Sequence, residues 1–472
     1  MGIQINTLKN ATIFFSAMAV SVSCQDRQKA EEEETEKPAG EKQPNVVMVL
    51  ADDLGWKRLG CYGSDYYETP NLDKLASDGM RFTQAYTAAS ISSPTRASIM
   101  TGQHPARLNI TDFIPGGEFP DRPLQRPDWQ KFLPLEKHTI GEAFKGNGYS
   151  TGYFGKWHLS KEKMPPESHS HNPDKQGFDE SFVTYKPVPS MAQPWQKSPE
   201  DDPHNVDTIA TRAVEFIQRH RDQPFFLVAS PNSVHTPLIE SQELIDKYED
   251  KWGSQKGENT PVLAAMIETL DKSVGRIRNA LKEAGIEENT IFIFYSENGG
   301  LERSAVQTPF RRGKGWLYEG GIRVPLIVRW DGQIEEGSQS DALVTSNDMY
   351  PTLLNMAGIP VEKEILDGKN VFPVLKGEKE SVRNTLYWHY PHYHGGSGMK
   401  PGGAMRMGDY KLIVWYEKLL MDTSDPYELY NVSQDKGETV DLKDELPGKA
   451  EEMKKEFDKW KEAVDAQMPK VK

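Results

Sequence analysis

Four stretches of this chain are too apolar and too rich in β-branched and aromatic residues to sit anywhere but inside a sheet, and three of them stop abruptly at polar or acidic residues. Asn45–Leu50 runs into Ala51-Asp52-Asp53-Leu54-Gly55, Pro224–Ser230 leads to Val234-His235-Thr236, and Thr290–Tyr295 leads to Ser296-Glu297-Asn298-Gly299-Gly300. The last, Val324–Trp330, follows a glycine-rich approach. Continuous apolar runs of this length suit strands buried on both faces. Between them lie helix-like segments over 207–219, 263–284 and 348–357. Strand and helix in alternation predict an α/β domain built on a large, mostly parallel sheet flanked by helices. Ligands of such sheets gather beyond the carboxyl ends of the strands, which is where these polar residues fall.

The texture changes after about Gly377. Leu386–Tyr390, Ala404–Arg406 and Tyr410–Tyr416 read as antiparallel strands joined by Gly/Asp turns, and 449–466 reads as a charged helix. The division expected is a catalytic domain over 44–377 and a smaller α+β subdomain with an antiparallel sheet over 378–472. Residues 25–43 are charged and Pro/Gly-punctuated, as expected of a disordered tether.

Residues 1–24 read as an export signal. Lys9 precedes the apolar run Ala11–Val20, which is too short to span a bilayer, and small residues then lead to Cys24. That order resembles a bacterial lipoprotein signal, with Cys24 as a lipidated membrane tether; an ordinary cleaved secretory signal is the alternative. Either route takes the protein out of the cytoplasm, to the periplasm or the outer membrane. Cys61 is the only other cysteine, so no disulfide framework is expected. A net charge of −14 excludes a broad nucleic-acid surface, so an anionic ligand must be held by local cations.

Several short constellations carry chemistry. In Ser92-Ser93-Pro94-Thr95-Arg96, Pro94 suits the first turn of a helix whose N-terminus favours an anion, and Arg96 adds a cation nearby. Asp52, Asp53, Glu297 and Asn298 offer oxygen donors from two strand ends, a set that suits Ca²⁺ or Mg²⁺ rather than zinc. Lys156 and His158 in Gly155–Leu159, His235 in His235–Leu238, and Lys314 ahead of Glu319–Pro325 supply cations and acid/base groups.

Together these segments resemble the type I sulfatase family of the alkaline phosphatase superfamily. The likeness runs from about Asn45 to Leu442 and includes Thr69–Ala76, Asp348–Leu354, Met407–Ile413 and Glu428–Asn431. It implies an alkaline phosphatase-like fold and hydrolysis of sulfate esters. It also implies that Ser92 is oxidised to formylglycine, whose hydrate is the nucleophile. The ligands implied for one Ca²⁺ are Asp52, Asp53, Glu297, Asn298 and the modified Ser92, with Glu297 standing where the family carries Asp. Arg96, Lys156, His158, His235 and Lys314 take the family's catalytic positions, and Lys156, His235 and Lys314 those that touch the sulfate. Asp53 or Glu297 is then the acceptor of the attacking hydroxyl's proton, His235, alone or with Lys314, the group that protonates the departing alcohol, and His158 the base that releases sulfate.

A serine at position 92, rather than a cysteine, implies a radical-type sulfatase-maturing enzyme as partner and a bacterial source. The substrate expected is a sulfated glycan, with the imidazole- and aromatic-rich segment 389–396, which holds His389, His392 and His394, and Arg312 as sugar-binding candidates on the rim, and Arg311 and 109–112 as further ones. Two other readings share the motifs: a phosphodiesterase or phosphonate monoester hydrolase of the same superfamily, and a non-catalytic glycan-binding relic.

Overall fold

The run at Asn45–Ala51 forms strand β1, and all seven of its residues are buried. Side chains alternate across a strand, and here both sides find a core. Val46, Met48 and Leu50 join one apolar cluster, while Val47, Val49 and Ala51 join another. The computed structural model describes residues 42–160, 170–184, 202–251, 260–361 and 365–472. The export signal, Cys24 and nearly all of the tether expected at 25–43 lie outside them.

Seven further strands complete the sheet: β2 (Met80–Phe82), β3 (Ser150–Lys156), β4 (Glu180–Thr184), β5 (Phe225–Ser230), β6 (Thr290–Ser296), β7 (Leu326–Arg329) and β8 (Ser338–Ser340). Their order is β8-β2-β7-β6-β1-β5-β3-β4. Only β7 runs against its neighbours, so the sheet is mostly parallel. Helices α1 (Pro70–Ser77), α4 (Val206–His220) and α5 (Pro261–Glu283) cover one face; α2 (Ser92–Thr101), α3 (Ile140–Gly146) and α6 (Met349–Met356) cover the other. The strands at Ser150–Lys156 and Glu180–Thr184 went unpredicted. Gly152 and Gly155 dilute the apolar pattern of the first, and the second is only partly buried.

Beyond the main sheet, β9 (Thr385–Tyr390), β10 (Gly402–Met407), β11 (Tyr410–Trp415) and β12 (Tyr427–Asn431) form an antiparallel sheet. One of its faces packs with Tyr86, Ile91, Leu317 and Tyr318. The other receives Met453 and Phe457 of α7 (Pro447–Ala463). A buried ionic knot ties it to the segment between β6 and β7: Lys411 Nζ lies 3.1 Å from Glu319 of that segment and 2.8 Å from Glu438, all three fully shielded from solvent. Tyr86 donates to Glu319 from the other side at 2.7 Å.

His389, expected on the sugar-binding rim, lies in this structural core instead. Its Nδ1 meets the Tyr416 hydroxyl at 2.7 Å and its Nε2 the Gln467 carbonyl at 3.0 Å, and the side chain is buried. Burial holds its pKa down at about 3. A histidine kept neutral in the folded state contributes stability above the unfolded-state pKa of about 6.5, and that contribution is lost as pH falls toward the folded value. Between pH 7 and 5 the loss for one such group is roughly 2 kcal/mol. Urea denaturation at the two pH values is expected to show His389→Gln losing about 2 kcal/mol less than wild type. Equal losses would mean that His389 is not the buried neutral group described.

Candidate active site

Parallel pairing brings the polar strand ends together. Ala51 and Ser296 are register partners on β1 and β6, so Asp52 and Glu297 leave adjacent strands at the same level, and the Glu297 amide donates to the Ala51 carbonyl at 3.1 Å. The segment after β5 closes over the same point: the Asp52 amide donates to Ser233 O at 2.9 Å, two residues before His235. Lys156 is the last residue of β3. Asp53 and His158 adopt left-handed backbone, with φ of 61° and 60°, a conformation costly for residues other than glycine that tends to gather at functional sites.

Ser92 opens α2, a helix with every residue buried. Its Oγ lies 2.5 Å from Glu297 Oε1 and 3.0 Å from Lys156 Nζ. Lys156 also reaches both oxygens of Asp52 at 2.8 Å and Glu297 Oε1 at 3.0 Å. One turn along α2, Arg96 pairs through Nε with Glu297 Oε2 and donates to Ser230 Oγ at 2.8 Å. Glu297 is therefore gripped on both oxygens. Its extra methylene, relative to Asp, lets it span Ser92 and Arg96 at once.

Asp53 takes a second set of partners. Lys314 Nζ lies 2.8 Å from Oδ2, Asn298 Nδ2 donates to Oδ1 at 2.8 Å, and His235 Nε2 stands 3.9 Å from Oδ2. Lys314 comes from the 299–322 loop, whose amide donates to the Gly300 carbonyl at 2.9 Å. A Cβ at Gly299 would stand 1.9 Å from the Gly320 carbonyl, so glycine is what lets this loop return so close.

The charges regulate one another. Burial pushes the Asp52 carboxyl well above the usual range, and the Glu297 carboxylate adds to that push. Burial would raise Glu297 too, but Arg96 and Lys156 outweigh it and hold Glu297 well below its usual value. Asp53 is likewise held low, by Lys314, His235 and Lys156 against burial. Burial and the neighbouring ammonium of Lys156 keep His158 neutral; burial and Lys314 hold His235 down at about 3.

Asp52, Asp53 and Glu297 present carboxylate oxygens within 4.8 Å of one another. Asn298 Oδ1, buried beside them, accepts no hydrogen bond among the described residues. Hard oxygen donors, crowded carboxylates and an acceptor without a donor fit a hard divalent cation. Three carboxylates facing Arg96, Lys156 and Lys314 are formally balanced, so such an ion would leave the site positive and ready for an anion.

The cavity beside this cluster has a volume of about 200 Å³ and is lined by Asp53, Ser92, His158, His235 and Lys314, with Ile91, Phe113, Leu301, Arg303 and His394 on its other walls. Thus Asp52, Asp53, Ser92, Arg96, Lys156, His158, His235, Glu297, Asn298 and Lys314 converge as the sequence suggested. Of the rim candidates only His394 brings its side chain to the cavity. His392 is buried against Thr111 Oγ1 at 2.8 Å and lines a separate depression. Arg312 stacks on Trp316 at 4.7 Å and faces Glu302. Arg303 stands at the cavity with His394; it lies in no motif that would have marked it.

Comparison with known proteins bears on this site. A family profile described as Sulfatase matches residues 44–359, and one described as N-sulphoglucosamine sulphohydrolase, C-terminal, matches 312–463. The chain is 32% identical to a sulfatase of Formosa agariphila over 88% of its own length and 87% of that protein. It is 31% identical to arylsulfatase A of Homo sapiens over 84% and 83% of the two chains. Among solved structures it is similar to Ps i-CgsB in complex with k-i-k-neocarrahexaose, with a TM-score of 0.76 and 28% identity over 90% of this chain and 94% of that one.

Removing one partner of a buried ion pair costs roughly 3–5 kcal/mol, because the other charge is stranded. Arg96→Met is expected to lower unfolding free energy by about that amount, with Arg96→Lys recovering part of it. Denaturant titration checks this; a loss under about 1 kcal/mol would show that Arg96 does not anchor Glu297.

Proposed function

The chain belongs to the sulfatase family and is a sulfuric ester hydrolase, and on that premise we propose that it removes sulfate from a sulfated glycan, with Ser92 converted to formylglycine and one Ca²⁺ held by Asp52, Asp53, Glu297 and Asn298. One observation carries the reading. Ser92 meets a set of hard oxygen donors and the side chains of Lys156, His158, His235 and Lys314 around a single cavity. The similarity to Ps i-CgsB, solved in complex with k-i-k-neocarrahexaose, supports a carbohydrate substrate.

When bound there, Ca²⁺ and the hydrated aldehyde would supply charge neutralisation and a nucleophilic hydroxyl. The remaining work falls to side chains of this chain. Glu297 Oε1, 2.5 Å from Ser92 Oγ, is placed to take the proton of the attacking hydroxyl. Lys156 and Lys314 flank the position of the sulfate and stabilise its oxygens. His235 Nδ1 donates to the Thr236 carbonyl at 2.6 Å, which leaves Nε2 as its titrating nitrogen. A bound sulfate ester brings the negative charge that favours its protonated form, and His235 then passes a proton to the departing alcohol. His158 Nε2 donates to the Ile114 carbonyl at 2.7 Å, so the neutral ring carries its basic lone pair on Nδ1. That base serves the release of sulfate.

The proposal extends to maturation and location. A serine at position 92 calls for a radical-type maturing enzyme, and residues 1–24 call for export, with Cys24 as the lipidated anchor.

Ser92→Ala is expected to abolish turnover of 4-nitrophenyl sulfate, and the Ser92 peptide from the native host should be lighter by one H₂. Wild-type-like rates in the variant, or an active protein with unmodified serine, would overturn the scheme. A second readout needs no turnover. Adding Ca²⁺ to chelator-treated protein should raise its melting temperature, with about 2.7 kcal/mol gained at a hundredfold excess over Kd. Asp53→Asn should remove most of that shift; an equal shift in the variant would place the ion elsewhere.

A further inference from the structure

The cavity has a second wall that the removal of sulfate does not use. It is formed by Phe113, Leu301, Arg303 and His394.

His394 is nine-tenths buried, at 8% exposure. Its Nδ1 accepts from the Ser397 amide at 3.2 Å and lies 2.8 Å from the Ser397 hydroxyl. A neutral imidazole that accepts at Nδ1 carries its proton on Nε2. Burial, Lys314 and Arg303 hold the ring neutral, with a pKa of about 4, against an opposing pull from Asp53. The Nε2–H therefore remains as a donor for the cavity, and no acceptor is recorded for it among the described residues. The ring is held in place by the edge-on contact with Phe113, 5.7 Å between centroids, and by a turn closed through His394 N–H to Met399 O at 3.0 Å. Gly315 permits that turn. A Cβ there would lie 2.5 Å from Ser397 Oγ and 2.7 Å from His394 Nδ1.

Arg303 is exposed at the same cavity. The neighbouring arginines are occupied: Arg311 lies over Tyr318 at 4.1 Å and donates to Glu438 O at 2.9 Å, and Arg312 takes Trp316 and Glu302. Arg303 has no ion pair, hydrogen bond or ring partner among the described residues. In a chain of net charge −14, a guanidinium left unpaired beside a pocket for an anion is an available binding group.

We propose that Arg303 and His394 form a second anion-reading pair. They recognise a carboxylate or a further sulfate on the saccharide whose ester is cleaved, while Phe113 and Leu301 receive the apolar face of a sugar ring. This inference rests on the glycan reading above and makes the preferred substrate a polyanionic one. Arg303 offers a planar fork to two oxygens and His394 adds a neutral donor beside it.

The test uses protein matured alongside a radical-type maturing enzyme. Its probes are pairs of sulfated disaccharides of glycosaminoglycan and carrageenan type, each pair sharing the scissile ester and differing by one carboxylate or one sulfate. 4-Nitrophenyl sulfate serves as a reference without a second charge. Wild type is expected to favour the more highly charged member in kcat/KM by about tenfold, a preference that weakens with salt. Arg303→Gln should erase most of that preference through KM, Arg303→Lys should keep part of it, and His394→Gln should reduce it. Equal turnover of both members by wild type, or an Arg303→Gln loss that is the same for every probe, overturns this inference and leaves the sulfatase reading standing. Turnover of the aryl sulfate with no saccharide cleaved overturns the glycan reading and this inference together.

Discussion

The site depends on holding three carboxylates within a few ångströms of one another away from water. Asp52, Asp53 and Glu297 would repel strongly in a medium of low dielectric, and no fold tolerates that unless positive charge is built in beside them. Here it comes from separate elements: Arg96 from α2, Lys156 from the end of β3 and Lys314 from the 299–322 loop. Each cation also fixes the position of the element that carries it. Arg96 ties α2 to β6 through Glu297, and since Ser92 begins the same helix, its position is set by the same contact. The geometry of the cluster and its electrostatic balance are one arrangement.

The smaller sheet takes part at one remove. Lys411, on β11, is wholly buried between Glu319 and Glu438, and Glu319 ends the loop that delivers Lys314. Burial alone would raise Glu319; Lys411 and the neighbouring arginines hold it down at about 2, so it stays charged. A charge network of this kind adds little net stability, since desolvation offsets much of the attraction. What it does is define one relative placement of the loop and the sheet, because any other leaves a charge stranded. Lys314 reaches Asp53 from a loop that is clamped at its far end.

How much of this was legible in the sequence follows from which signals are local. Runs such as Asn45–Leu50 and Thr290–Tyr295 announce buried strands by composition alone, and the residues just after them announce a site by position. The conformation of Asp53 and the pairing of Arg96 with Glu297 could not be read that way, although the residues themselves could. The rim could be read only in part, for a plainer reason. In the stretch 389–394 the histidines alternate between fates that composition does not distinguish: His389 faces the Tyr416 hydroxyl, His392 faces Thr111, and His394 alone lines the cavity. Which one reaches the cavity depends on where β9 ends and on a turn that packs against Gly315, both long-range facts. Arg303 carried no motif at all.

The length of the Glu297 side chain is used in full. A shorter carboxylate leaving β6 at the same register could approach either Ser92 or Arg96, but the observed side chain touches both, with one oxygen given to each. Dividing the oxygens this way leaves Oε1 shared by Ser92 and Lys156 and facing the cluster, while Oε2 is committed to Arg96. A carboxylate committed on one side can offer a cation only its other side. A divalent cation seated there would draw its remaining oxygen donors from Asp52, Asp53 and Asn298, and Asn298 Oδ1 has no donor among the described residues. Glu297 thereby holds the start of α2, through both Ser92 and Arg96, at the end of β6.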